Sequence, residues 1–215
     1  MAKAGLLFVG TDDGVVLLSD PGASGRWLRI GHGLRGQAVR AVWPLYETPD
    51  VVLAGGDQGL WRSADGGRSW QQFDQAPVLA FDGAKTTAQQ VIVYRAGGGS
   101  EQSDDGGSTW TTRTDSSDAP SNIVVMLVGT PPAQLALTSG RIARSADNGA
   151  TWQQPTGEAW ESDVTTLAAA RYHIDTVYAG SEGGQLGVSS DRGATWQILK
   201  RDLPAIRAIV ATRLA

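Results

Sequence analysis

The stretch RSADNGATW at 144 to 152 has three near copies in the same chain: RSADGGRSW at 62 to 70, QSDDGGSTW at 102 to 110, and VSSDRGATW at 188 to 196. The tryptophans that close them, Trp70, Trp110, Trp152 and Trp196, are 40, 42 and 44 residues apart. A fixed period of this length marks a repeat architecture, in which each copy is one small unit that buries its apolar faces on its neighbours. One period before Trp70 stands Trp27 in LLSDPGASGRWLRI, where Ser19, Asp20 and Gly22 form a decayed copy of the same turn. Five units of about 43 residues account for the 215-residue chain.

Each unit carries short runs rich in Val, Ile, Leu, Thr and Trp, bounded by Gly, Asp, Asn and Ser, which is the pattern of strands and tight turns. One run reads LLFVGT, VVLAGG, VIVYRA, LALTSG and TVYAGS in successive units; the next reads GVVLLSD, GLWRSAD, GSEQSDD, GRIARSAD and QLGVSSD. The repeated turn follows, then a further strand such as SWQQF, TWTTR or TWQIL. The remaining run of each unit comes first: VRAVWPL from 39, PVLAFDG from 77, NIVVMLVG from 122, VTTLAAAR from 164 and IRAIVATRL from 206. Helical periodicity is sustained nowhere.

The run at 206 has no unit after it, and the first unit has no such run before it. A ring resolves both ends: strand 206 to 214 pairs with 5 to 10 and completes the N-terminal unit. Radial sheets also hide all but short edges, whereas a linear solenoid would want polar caps at both ends. The expectation is an all-β fold, a five-bladed β-propeller of four-stranded antiparallel blades in one domain, 1 to 215. Its repeats are about 206–215 plus 4–30, 38–73, 76–113, 120–154 and 162–199.

Within each turn the Asp accepts hydrogen bonds from backbone N–H groups, as in Asx turns. Gly149 supplies a positive φ that a side chain would resist, and the Trp is expected to bury its ring against the hairpin. The pattern resembles the Asp-box, or bacterial neuraminidase repeat, S-x-D-x-G-x-T-W. The match is full at the turns of Asp105, Asp147 and Asp191, and Ser69 replaces Thr at the turn of Asp65. In that family the box is a structural hairpin away from the ligand face. The resemblance therefore assigns Asp65, Trp70, Asp105, Trp110, Asp147, Trp152, Asp191 and Trp196 to the frame, with no metal.

Sialidases that carry this box also need an Arg-Ile-Pro element, three arginines on a carboxylate and a Tyr nucleophile. Here Arg29-Ile30 is followed by Gly31, so sialidase activity is not expected. Other glycosidases of such propellers use two opposed carboxylates, and Asp57, Asp82, Glu158, Glu161 and Asp163 are acids outside the boxes that nothing in the sequence pairs across a sugar. His32 and His173 lack zinc-site spacing, and His32, in GHGLRG, reads as a solvent-exposed loop residue. The glycine-rich stretches lack a phosphate-loop ending.

With 18 Lys and Arg against 22 Asp and Glu, a net charge of −4, and no cysteine, the chain offers no footprint for nucleic acid, no disulfide and no thiolate chemistry. No run approaches the roughly 18 apolar residues of a membrane helix. The apolar stretch at 6 to 9 is too short for a signal-peptide core, so a soluble cytoplasmic protein is expected, or a secreted one if a leader was removed.

A propeller of this topology gathers the loops between second and third strands, and the crossovers between units, on the face opposite the boxes. The candidate partner residues there are Asp12, Asp13, His32, Arg35, Asp57, Trp160, Glu161 and Glu182, on a face predicted to be net acidic. Trp160 either presents an aromatic hot spot to a protein or sugar or folds back onto its own blade. Arg40 and Arg207 occupy equivalent channel positions, meeting an anion or pairing with nearby carboxylates. The favoured reading is a noncatalytic binding or scaffold module, resembling Asp-box propellers that assemble photosynthetic complexes or bind cargo. A protein partner comes first, a glycan-binding or glycan-hydrolysing propeller second, with no cofactor and a monomer or weak homo-oligomer.

Overall fold

The structure is a computed structural model and describes residues 5 to 213 except 23, 47, 84 to 88, 115 to 123, 128, 130 and 131. The expected strand start at 122, Asp115 and Asp118 in the crossover that follows the third unit, and Leu214 lie outside the described residues. Among the described residues every regular element is a strand. In chain order these are β1 (Gly5–Thr11), β2 (Gly14–Asp20), β3 (Leu28–Gly33), β4 (Val39–Pro44), β5 (Val52–Gly56), β6 (Gly59–Ser63) and β7 (Gln71–Asp74). There follow β8 (Val78–Asp82), β9 (Val91–Arg95), β10 (Ser100–Ser103), β11 (Thr111–Thr112), β12 (Val124–Leu127), β13 (Ala133–Thr138) and β14 (Arg141–Ser145). The chain ends with β15 (Thr156–Gly157), β16 (Val164–Ala169), β17 (Val177–Ser181), β18 (Leu186–Ser189), β19 (Thr195–Lys200) and β20 (Ile206–Arg213).

Five sheets result. The first is β20-β1-β2-β3, the second β4-β5-β6-β7, and the third β8-β9-β10-β11. The fourth is only β12-β13-β14, and the fifth is β16-β17-β18-β19 with β15 added at its outer edge. The C-terminal strand does pair with the N-terminal one, antiparallel, from Gly5 opposite Arg213 to Thr11 opposite Ile206. Four strands per sheet therefore holds in three sheets. In the fourth, the segment after the repeated turn makes one bridge, Gln153 to Arg144, and then leaves. It reappears as β15, which pairs in parallel with β19.

The continuous apolar runs of the second and third strands are buried on both faces because sheets stack on both sides. Leu6, Phe8, Val15 and Leu17 meet Val39, Val42, Val52, Ala54 and Trp61 of the second sheet. The alternate residues Leu7, Val9, Val16 and Leu18 meet Tyr178, Leu186 and Ile209 on the other side. Each such side chain contributes about 1.5–3 kcal/mol by leaving water. Further clusters join the second sheet to the third, through Leu53, Leu60, Val78 and Val93, and the fourth to the fifth, through Leu135, Ile142, Leu167 and Val177. Among the described residues no such cluster joins the third sheet to the fourth.

Close approach explains a glycine in three second strands. A Cβ on Gly10, Gly55 or Gly180 would run into Val39, Val78 or Ile206, the start of the next sheet's first strand. Side chains also bridge sheets: the Nε of Arg62 and of Arg144 donates, at 3.0 Å each, to the carbonyls of Gly106 and Arg192 in the following turn.

Candidate functional site

The four repeated turns are built alike. Ser63, Ser103, Ser145 and Ser189 each donate through Oγ to the carboxylate two residues on, at 2.8, 2.8, 2.7 and 2.7 Å. The same Oγ accepts the N–H of the turn glycine at 2.7 to 2.8 Å. The carboxylate of Asp65, Asp105, Asp147 or Asp191 accepts both the N–H and the hydroxyl of Ser69, Thr109, Thr151 or Thr195. Two successive left-handed residues make this possible, as at Asn148 and Gly149, with φ of 59° and 89°.

These donors hold the carboxyls low. The Thr109 and Thr151 hydroxyls and amides bring Asp105 and Asp147 to about 2, and those of Ser69 take Asp65 below the usual carboxylate range. At Asp191 burial opposes the shift, and the Thr195 hydroxyl and amide still win. The decayed turn keeps the device one residue longer: Asp20 accepts from Ser24 N–H, Ser24 Oγ and Gly25 N–H at 3.0, 3.2 and 2.7 Å.

The tryptophans part company. Trp196 is 4% exposed and Trp152 is 43% exposed, so the expected burial of the Trp152 ring is corrected. Both indole N–H groups donate to the turn glycine's carbonyl, at 3.2 and 3.1 Å. The local bond is therefore the same, and the cover differs. Trp70 and Trp110 are half-buried, and the Trp110 indole N–H finds no acceptor among the described residues.

At the other end of the sheets, bulges aim single residues outward. Register breaks leave Arg40, Leu79, Thr165 and Arg207 as the extra residues of β4, β8, β16 and β20. The two arginines pair with carboxylates on the neighbouring hairpin loops. Arg207 donates to both oxygens of Asp12 at 2.8 and 2.7 Å, with Glu182 at 3.9 Å, and Arg40 donates to Asp57 at 2.7 Å. The bond from Arg207 holds the Asp12 carboxyl below its usual range. Such exposed pairs each contribute about 0–1 kcal/mol, so they orient groups more than they hold the fold.

His32 is corrected as well: its side chain is 6% exposed. Its Nε2 meets the Asp13 carbonyl and its Nδ1 meets Arg29. Asp13 in turn accepts the N–H of Gly36 at 2.6 Å, and Arg35 lies exposed beside it. Asp13 thus ties the β1–β2 hairpin to His32 of β3 and to the loop that follows it. The sequence alone also hides a charge network between the second and third sheets, in which Arg95, 12% exposed, binds Asp74 and Glu101.

Trp160 folds onto the fifth sheet. Its ring meets that of Trp196 edge-on, with centroids 6.0 Å apart, and it lies over Gly187, where a Cβ would come within 2.8 Å of it. Glu158 and Glu161 share Arg201, at 2.7 and 2.8 Å. The Glu161 N–H donates to Gln185 Oε1 at 2.6 Å. Glu158, Trp160 and Glu161 line a cleft of about 490 Å³ together with Gly140, Arg141 and Ile142 from the fourth sheet, Asp163 and Trp196. Among the described residues no cluster of three or more His, Asp or Glu is placed to hold a metal. None of them belongs to a helix long and apolar enough to cross a membrane.

Several solved structures are similar to this chain. They include an ancestral GH74 enzyme (TM-score 0.41, 16% identity, covering 94% of this chain and 30% of that one). The GH74 enzyme of Niastella koreensis gives 0.35 and 17%, with 92% and 36% covered. YCF48 bound to D1 peptide gives 0.42 and 16%, with 89% and 76% covered. The chain thus spans about a third of the length of the two GH74 enzymes. No family model matches it, and no curated protein matches it. Likenesses of this size assign neither an activity nor a partner.

Proposed function

We propose that the chain is a five-bladed β-propeller, closed by β20, that binds a protein partner through the loops opposite the repeated turns and catalyses no reaction there. Its blades correspond to residues 206–215 plus 4–30, 38–73, 76–113, 120–154 and 162–199. One observation supports this most: four turns share a single hydrogen-bonded frame, while the opposite ends carry different charged groups. Bulges and arginine pairs set the directions of those groups. A rigid frame with variable, pre-oriented loops is how a scaffold acquires specificity. Asp12, Asp57, Glu161 and Glu182 give the face its acidic character, and Arg40 and Arg207 line the mouth of the channel. The repeated turns resemble Asp-boxes and serve as frame.

The test is chemical crosslinking of the tagged chain in its native extract, followed by identification of crosslinked peptides. Crosslinks to a partner through the loop face, lost in Asp57→Arg with Glu182→Arg and kept in Trp152→Ala, support the reading. Crosslinks lost only in Trp152→Ala overturn it. The Trp160 cleft with its three carboxylates favours a second reading, a glycan-binding propeller. Saturable binding on a glycan array, abolished by Trp160→Ala, would replace the first reading by the second.

A further inference from the structure

Strand backbones alternate, so that every second residue turns its N–H and C=O to the same neighbour. In β14, Arg144 exchanges both bonds with Gln153, at 2.8 and 2.9 Å. Ile142, two residues earlier, therefore presents its N–H and C=O to the same side. Among the described residues neither group has a partner.

The equivalent position is occupied in every other sheet. Val16 pairs with His32, Leu60 with Asp74, and Leu186 with Lys200, and Ser100 C=O accepts the N–H of Arg113 at 3.0 Å. In the fourth sheet the strand that would fill this place has been drawn away. Thr156 and Glu158 donate instead to the carbonyls of Ala194 and Trp196, at 3.0 and 2.9 Å. The vacated edge opens into the 490 Å³ cleft. Ile142 is 6% exposed and belongs to the core cluster between the fourth and fifth sheets, while its outward backbone groups have no partner among the described residues.

We infer that the open edge of β14 takes up an extended, basic peptide segment of a partner protein as a fourth, antiparallel strand. This rests on the reading of the chain as a protein-binding module and names how part of the partner is held. Two observations choose the occupant. The N–H and C=O of Ile142, without a partner among the described residues and two residues beyond an existing ladder, match a strand backbone, which supplies both at that spacing. The walls beside them carry Glu158, Glu161 and Asp163 against Arg141, and Glu158 and Glu161 share one arginine, so the cleft favours cationic side chains. In two of the occupied sheets the residue beside this position is itself Arg113 or Lys200.

The probe is a blocked synthetic peptide with the sequence of residues 195 to 200, TWQILK, whose native counterpart already sits on a third strand. Two further peptides and one saccharide complete the set: a peptide N-methylated at the lysine amide, a peptide with that lysine replaced by glutamate, and a neutral hexasaccharide. Hydrogen exchange is read residue by residue on the whole chain. Saturating TWQILK should slow exchange at Ile142 on the order of tenfold or more. The N-methyl peptide should lose that effect, and the glutamate peptide should bind several-fold more weakly at low salt.

Ile142→Pro removes the outward N–H on an edge strand, where proline breaks no ladder bond, and should abolish binding. If that variant fails to fold, the N-methyl comparison still decides. Equal binding of the N-methyl peptide, no protection at Ile142 at millimolar peptide, or protection by the hexasaccharide alone overturns the inference. A failed peptide experiment beside crosslinks that still depend on Asp57 and Glu182 removes strand addition and leaves the loop-face reading standing. The reverse pattern removes the loop-face reading.

Discussion

The fourth and fifth sheets contain the same turn, hydrogen-bonded in the same way at Ser145, Asp147 and Thr151 and at Ser189, Asp191 and Thr195. Yet Trp152 lies 43% exposed and Trp196 only 4%. The Gly193 position of the fifth sheet packs on Leu135 of the fourth, whereas among the described residues Gly149 of the fourth meets only Gln134 and Trp152 of its own unit. Trp196 also receives Trp160 and the added strand β15. A repeated motif thus fixes the turn and leaves the burial of its tryptophan to whatever neighbours the ring obtains.

The comparison can be broken most directly at the tryptophans. Trp196→Ala should cost about 3–5 kcal/mol in denaturant unfolding, and Trp152→Ala about 1–2 kcal/mol. Equal losses would mean that the turn itself, not its cover, sets the contribution. Next in size, Trp160→Ala should cost about 2 kcal/mol by uncovering Trp196. It should also speed amide exchange at Thr156 and Glu158, where β15 is tied to β19; unchanged exchange there would show that β15 holds without its aromatic anchor.

Ser145→Ala and Ser189→Ala address what the two turns share. Both residues are 1% exposed, and each loss leaves the turn-glycine N–H, part-buried at Gly149 and buried at Gly193, without its acceptor, so each should cost about 1–3 kcal/mol. A difference above about 1 kcal/mol would break the equivalence of the frames. The smallest effect is in acid. A carboxyl that titrates lower in the folded than in the unfolded chain contributes stability above its unfolded value, and that contribution fades as pH falls toward the folded one. With Asp105 and Asp147 at about 2 and an unfolded value of about 3.9, stability should decline between about pH 4 and 2. Thr151→Val should raise the Asp147 value in an NMR titration; an unmoved value would deny the hydroxyl its part.

Much of the frame was legible because it is written in short-range terms. The Ser, Asp, Gly and Thr of each turn interact within four residues, and the short apolar runs between turn residues mark the strands. The pairing of β20 with β1 also followed, since each end of the chain carried a run that lacked a partner. The site was less legible. Arg40 and Arg207 could be recognised as equivalent, but not the bulges that turn them toward Asp57 and Asp12. His32 looked exposed for want of any sign that Asp13 and Arg29 enclose it. Trp160 could be singled out but not placed, because its partner Trp196 is set by packing.

The turn, four times over, and the succession of strands follow from residue order, since both rest on groups a few residues apart. Tertiary structure alone decided that the segment after Trp152 abandons β14 for β19, leaving the outward N–H and C=O of Ile142 without a partner among the described residues. The turn chemistry at Asp147 permits either course. The choice depends on which apolar surface is available to Trp160 and on which edge is free to accept Thr156, and both are known only when the sheets stand side by side.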